Sequence, residues 1–447
     1  MRLRDALRRP PLGARVRLRA RPARAPAGGA RPCRRLPLAD ATWLACLLLL
    51  LYTYVGYPVL LALAVAIAAA CHRRARPRAP GPLPPAAHVS IVVPAHDEAA
   101  VIAAKLQNCL ERARAELAAA ELIVVSDGST DGTDALVAAR AADGVRLVRL
   151  TRRSGKAAAL NAGIRAAGGE WLVLTDANTL LAPGALRALL APFADPRVGA
   201  VAGAKRILAA ASVASAPERW YWRYEDLLKR LESRLGVAAG ADGALMAIRR
   251  AAWRDLRDDR AGQDFYPSLR VLLDGQRLVY APAAVAWEQA APTLAQELER
   301  KDRTLGSGLV SLWRLRALLG PRHPRAAWVL VSHRLLRFAV APALLGLLLG
   351  SLRGARRPAR LLALAQLAAY LAAAFAWGSL RRGRRPPTLA LAPYYFLALH
   401  LRALRAIGWA LRPRGADLWP RVPRALPDPP PGDPGGPTTP AARAAPP

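Results

Sequence analysis

The sequence predicts an α/β domain with a mostly parallel sheet, joined to about four membrane-spanning helices. Three observations predict it. Between residues 88 and 320, short β-branched runs alternate with helix-patterned stretches. Apolar runs of membrane-spanning length flank that segment on both sides. Mean hydropathy is +0.13 although 22% of the 447 residues are charged, so apolar and polar residues are segregated along the chain.

Taken in order, residues 1–40 are a basic arm, with twelve arginines before position 38 and no apolar periodicity, and are expected to be disordered. Residues 41–71 are nearly uncharged. About 20 residues suffice to cross a bilayer, so this is one long or tilted span, and it is too long for a cleaved signal peptide. A Pro/Arg linker covers 73–87. In 88–320 the runs VSIVVP (89–94), ELIVVS (121–126), VRLVRL (145–150) and WLVLTD (171–176) read as strands. Continuous apolar strands separated by crossover helices mean a parallel sheet covered on both faces. Residues 326–411 hold three further apolar runs, separated by the basic loops Arg353–Arg360 and Arg381–Arg385, with Arg402 and Arg405 interrupting the last. Residues 413–447 are Pro-rich and are expected to be disordered.

The formal net charge of +35 first suggests a polyanion partner. A nucleic-acid binder gathers its basic residues on one face or arm among aromatics. Here they are scattered, and only five of the 66 are lysine, the arginine bias that GC-rich coding produces. Nucleic acid is therefore excluded as a partner, while anionic lipid headgroups fit. The four cysteines (Cys33, Cys46, Cys71, Cys109) have no CxxC spacing, which excludes a disulfide framework and a zinc site.

In a parallel α/β sheet, ligands bind at the carboxyl ends of the strands. Three of the four strands end there in carboxylates: Asp97–Glu98, Asp127 and Asp176. Asp97 and Glu98 equally suit a helix N-terminus. Asp127 opens the turn Asp127-Gly128-Ser129-Thr130-Asp131-Gly132, where it could bind a base or ribose while Asp131 serves the turn or a helix cap. Lys156 begins a helix after Gly155, placed to reach a phosphate or ribose. A Walker loop is ruled out because Leu150 and Ala157 stand where Gly and Ser or Thr are required. Asp176 and Asn178, two apart in an extended segment, would share one hard cation, Mg²⁺ or Mn²⁺. Gly240–Arg250 combines a flexible turn with a basic helix start, and Asp264 stands at a helix entrance where capping explains it equally well.

Together and in this order, these motifs resemble the membrane-integrated family 2 glycosyltransferases of GT-A fold, the branch of cellulose, hyaluronan and poly-N-acetylglucosamine synthases. The resemblance runs over roughly residues 41–410 and takes in the Tyr54-Val55-Gly56-Tyr57-Pro58 patch and the Ser332-His333-Arg334-Leu335-Leu336-Arg337 run. It implies that Glu98, Asp127, Lys156, Asp176, Gly243 and Arg303 bind the substrate. Asp176 and Asn178 would hold the metal, with Asn178 in place of the second aspartate of DxD. Asp264 would be the general base of an inverting transfer. Glu299–Thr304 lacks the Gln and Trp of the QxxRW motif, so processive synthesis is not implied. The implied donor is a nucleotide-diphospho-sugar, UDP-linked, and the acceptor a polysaccharide or lipid-linked sugar. The implied location is a bacterial inner membrane, multi-pass, with the catalytic domain cytoplasmic. A catalytically silent nucleotide-binding subunit of a polysaccharide secretion complex is the alternative, which the intact Asp127, Asp176 and Asp264 argue against.

Overall fold

The computed structural model of the chain describes residues 38–72, 88–208, 215–257, 260–289, 294–353 and 357–411. The basic arm before residue 38, the linker and the Pro-rich tail lie outside the described residues. The first apolar helix is α1 (Leu38–Leu51) and α2 (Tyr57–His72), joined through a π-helical turn at Tyr52–Gly56.

The domain then alternates as the sequence predicts: β1 (His88–Ala95), α3 (Ala99–Glu116), β2 (Ala119–Asp127), α4 (Thr133–Ala138), β3 (Val145–Leu150), α5 (Lys156–Ala166) and β4 (Trp171–Leu174). Next come β5 (Thr179–Leu181), α6 (Ala185–Leu190), β6 (Val198–Leu208), α7 (Ser215–Arg234), β7 (Met246–Arg249), α8 (Phe265–Arg270), β8 (Arg277–Gln289) and α9 (Leu294–Arg314). The last helices are α10 (Pro324–Val329), α11 (Val340–Arg353), α12 (Arg357–Arg381) and α13 (Thr388–Leu411), with a second π-turn, Leu330–Leu335, after α10.

The strands form one sheet of order β3-β2-β1-β4-β7-β6-β8-β5. The first four are parallel; β7 then runs antiparallel to both β4 and β6, β8 parallel to β6, and β5 antiparallel to β8. The sheet is thus mixed, with its parallel half where the four sequence-predicted strands lie. Alternate residues of β1 feed opposite cores: Val89, Ile91 and Val93 pack with Ile102 and Leu106 of α3, while Val92 packs with Leu160 and Ile164 of α5. Both faces are buried, which is why these strands read as continuous apolar runs.

Three stretches are long and apolar enough to cross a membrane, Ala41–Cys71, Pro324–Arg353 and Arg357–Arg381, one fewer than the sequence suggests. α13 is the exception, and its charges explain why. Arg402 donates to Asp302 of α9 at 2.6 Å, and Arg260 donates to the Ala410 carbonyl at 2.9 Å. These two contacts tie α13 to the catalytic domain, while α13 also packs against α12.

α5 owes its place to Gly163. A Cβ there would lie 2.6 Å from Val92 Cγ1 and 2.7 Å from Val125 Cγ2, so only glycine lets the helix approach β1 and β2 this closely. Gly163→Val is expected to destabilise the domain by about 1–3 kcal/mol through overpacking, read as a lower Tm in thermal unfolding. An unchanged Tm would contradict the close approach.

Candidate active site

The carboxyl ends of β1, β2 and β4 open onto one cleft of about 440 Å³. Glu98, Asp127, Lys156 and Asp176 line it, as do Asn178, Gly243, Asp264 and Arg303. Residues up to 205 positions apart in the chain thus meet as the motifs predict.

The structure assigns several of them finer roles. Asp127 uses both oxygens on the loop ahead of α5, accepting from Ser154 N at 2.6 Å and Gly155 N at 2.8 Å. It therefore holds the start of α5, and with it Lys156, in addition to lining the cleft. Asp131 caps two helices at once: Oδ2 accepts from Ala99 N at 3.0 Å, and Oδ1 from Thr133 N at 3.1 Å. The carboxylate that caps α3 is thus Asp131, and Glu98 makes no side-chain cap bond. Asp97 has φ +52°, and its Oδ1 accepts from Thr130 N at 2.8 Å, which ties the β1 turn to the β2 turn.

Asp176 and Asn178 lie in a turn after β4, not in the extended segment the sequence suggests. This turn rests on a buried lysine. Lys105 Nζ donates to Thr175 Oγ1 at 2.9 Å, Thr179 O at 2.8 Å and Thr179 Oγ1 at 3.2 Å, all neutral acceptors. Its complete burial lowers its pKa.

Lys156 is the centre of the cleft. Its ammonium is 2.7 Å from Asp176 Oδ1 and 3.3 Å from each oxygen of Asp264. Burial works against its charge, but the two carboxylates more than offset this and hold its pKa above the usual lysine range. Asp264 makes no side-chain cap bond to α8, which settles the capping alternative. Burial raises its pKa to about 6; Lys156 opposes that rise and Asp176 adds to it. Gly243 leaves the space between these three groups open. A Cβ there would lie 2.6 Å from Asp264 Oδ2, 2.8 Å from Asp176 Oδ2 and 2.9 Å from Lys156 Nζ.

The far wall of the cleft was missed by sequence reasoning. Lys229 donates to Asp242 at 3.3 Å, and Glu288 pairs with Lys205 at 3.1 Å and Arg300 at 2.9 Å. The Lys301 ammonium lies 4.7 Å from the Trp222 ring centre. One signal could have found this wall. Four of the five lysines line the cleft and the fifth, Lys105, braces its floor. In so arginine-rich a chain, a lysine marks a place where a compact point charge is needed and a planar fork is not.

Asp176 and Asn178 offer a carboxylate and an amide oxygen, donors that suit a hard divalent cation. Among the described residues no group of three or more His, Cys, Asp or Glu side chains is gathered to hold a metal unaided. The donor set fits a cation whose remaining ligands come from a bound diphosphate. Cations for a phosphate group, a buried carboxylate raised towards neutrality and oxygen donors for a metal in one cleft suit group transfer from a diphosphate leaving group.

Residues 90–257 match the family model described as glycosyl transferase family 2. The poly-beta-1,6-N-acetyl-D-glucosamine synthase of Staphylococcus aureus is 28% identical over 194 residues, 42% of this chain and 47% of that protein. The succinoglycan biosynthesis protein ExoO of Rhizobium meliloti is 38% identical over 102 residues, 23% of this chain and 28% of that protein. The chain spans about half the length, or less, of these relatives. Among solved structures, the mannosyltransferase PcManGT from Pyrobaculum calidifontis, in complex with GDP-Man and Mn²⁺, superposes with a TM-score of 0.58 at 27% identity. That match covers 82% of this chain and 99% of the other. Residues 90–257 thus carry a family 2 glycosyl transferase domain, on a GT-A fold accompanied, among the described residues, by three apolar helices of membrane-spanning length.

Proposed function

We propose that the protein is a membrane-embedded inverting glycosyltransferase that moves a sugar from a nucleotide-diphospho-sugar to a glycan or lipid-linked acceptor. The observation that carries this reading is the Asp176–Lys156–Asp264 arrangement around Gly243. A fixed ammonium, suited to a leaving diphosphate, stands there beside a partly buried carboxylate suited to act as a base. The relatives' names, a mannosyltransferase and two polysaccharide biosynthesis proteins, point the same way. Arg334 of the Pro324–Arg353 stretch lines the same cleft, which suits an acceptor delivered from the side of that apolar stretch.

In this mechanism the acceptor hydroxyl lies beside Asp264 and attacks the anomeric carbon from the face opposite the diphosphate. Asp264 takes the hydroxyl proton as the new C–O bond forms and the bond to the diphosphate oxygen breaks. Lys156 meets the charge that develops on the departing oxygens, and it is fixed before the reaction begins, so no reorganisation is needed. Asp176 and Asn178 would hold Mg²⁺ or Mn²⁺, which supplies further neutralisation of the diphosphate. With its pKa near 6, Asp264 is ionised at neutral pH yet basic enough to accept a proton.

Three outcomes test this. Asp264→Asn abolishes transfer, measured with labelled nucleotide sugars, while calorimetric nucleotide affinity stays within about threefold. The wild-type rate falls as pH drops through about 6, because the base must be unprotonated. Near-normal turnover in the variant removes Asp264 from the mechanism.

Transfer requires Mg²⁺ or Mn²⁺, and Asn178→Asp tightens metal binding in the presence of nucleoside diphosphate by roughly tenfold, about 1.4 kcal/mol. Full activity in excess chelator would contradict the metal assignment.

Nucleotide sugars are cytosolic, so the catalytic domain faces the cytoplasm. A reporter inserted in the linker at residues 79–87 reads cytoplasmic. A reading on the opposite side contradicts this orientation and with it the donor class.

A further inference from the structure

The Tyr54–Pro58 patch and the Ser332–Arg337 run take no part in the chemistry above, yet the structure joins them. Each lies in or beside a π-turn, an element that recurs at functional sites. Tyr52 Oη and Ser332 Oγ are 2.7 Å apart, Trp328 Nε1 donates to Tyr52 Oη at 3.1 Å, and the Tyr57 ring packs edge-on to Trp328.

From this junction, side chains reach Glu232 on α7. Its Oε1 accepts from Tyr57 Oη at 2.8 Å and lies 2.6 Å from His333 Nδ1; its Oε2 accepts from Ala239 N at 3.0 Å. Arg334 holds the other side of the same residue, with Nε and Nη2 donating to the Ala239 carbonyl at 2.9 and 2.6 Å. Both backbone polar groups of Ala239 are therefore engaged by side chains outside its own loop.

That loop leads directly to the catalytic centre. Ala241 N donates to Ser268 Oγ at 3.0 Å, and Gly243 O accepts from Asp176 N at 3.1 Å. Arg334 also lies over the ring of Phe265, next to Asp264, at 5.3 Å. Glu232 is fully buried and cannot touch a substrate, so its influence can only pass through the groups it holds.

We propose that Glu232, with Tyr57, His333 and Arg334, is a positioning clamp through which the apolar helices fix the Gly243 loop and hence the spacing of Asp176 and Asp264. The helices then contribute to catalysis as well as anchoring the domain. The catalytic part of this inference rests on the transferase reading; the clamp itself does not. A buried donor left without its acceptor is costly, so loss of Glu232 moves the loop. A misplacement of about 1 Å in a reacting site costs on the order of 100-fold in rate.

The test uses the full chain in detergent or nanodiscs, with Glu232→Gln, Arg334→Lys and Tyr57→Phe compared by amide hydrogen exchange and by transfer kinetics. In the first two variants, exchange at residues 236–243 is expected to rise at least about tenfold while β1 and β2 stay protected. In the same variants kcat falls about 10–100-fold with donor KM within about threefold. Tyr57→Phe gives a smaller rise in the same segment; it and Arg334→Lys keep the test decisive if Glu232→Gln does not fold. Unchanged exchange at 236–243 in the folded variants overturns the clamp. Faster exchange with unchanged kcat overturns its positioning role. Exchange needs no turnover, so a wild-type protein that transfers no sugar faults the reading of the cleft and not the clamp.

Discussion

The ammonium of Lys156 between Asp176 and Asp264 is the interaction on which the rest of the site depends. Two carboxylates facing one small cleft repel each other, and burial raises the cost of ionising both. A single cation at 2.7 and 3.3 Å lets them coexist, leaving Asp176 available as a metal ligand and Asp264 as a base. Other features of the domain serve that placement. Asp127 fixes the start of α5, Lys105 supports the turn that carries Asp176, and Gly243 leaves room where the three side chains converge.

Where the sequence was informative, it was so for physical reasons. The parallel strands are buried on both faces and therefore read as continuous apolar runs, and the residues at their carboxyl ends follow from the rule that ligands bind there. β5–β8 were less legible. All four pair antiparallel with a neighbour, their partners lie far away in sequence, and β7 stands where the sequence suggests a helix start, so no local pattern reveals the order in which they join the sheet. Roles inside motifs were also out of reach. The turn sequence does not show that Asp127, besides lining the cleft, holds the loop ahead of α5; only the Ser154 and Gly155 contacts reveal it. The fourth apolar run reads as a span by its length, but Arg402 and Arg405 sit within it, and Arg402 donates to Asp302 of α9.

The distribution of lysine ties these levels together. Arginine is spread along the chain and also lines the cleft, while the lysines all occur in or beneath it, four of them set against Asp176, Asp242, Glu288 or a ring face. An ammonium is a compact point charge with three donors, suited to facing a carboxylate and a phosphate at once. The Asp127 side and the Lys205–Glu288–Arg300 wall give the cleft two chemically distinct halves. Arg334, in the apolar Pro324–Arg353 stretch, and Leu399 of α13 both line the cleft, so one stretch of membrane-spanning length borders it.

The most direct measurement is a titration of UDP- and GDP-linked sugars into the purified protein with and without Mn²⁺, in the wild type and in Lys156→Met, followed by product analysis. The account predicts that at least one donor binds in a metal-dependent manner and is cleaved at its anomeric carbon. It also predicts that Lys156→Met loses most of that activity. Donor binding that is indifferent to both metal and Lys156, or no donor binding at all, would contradict it.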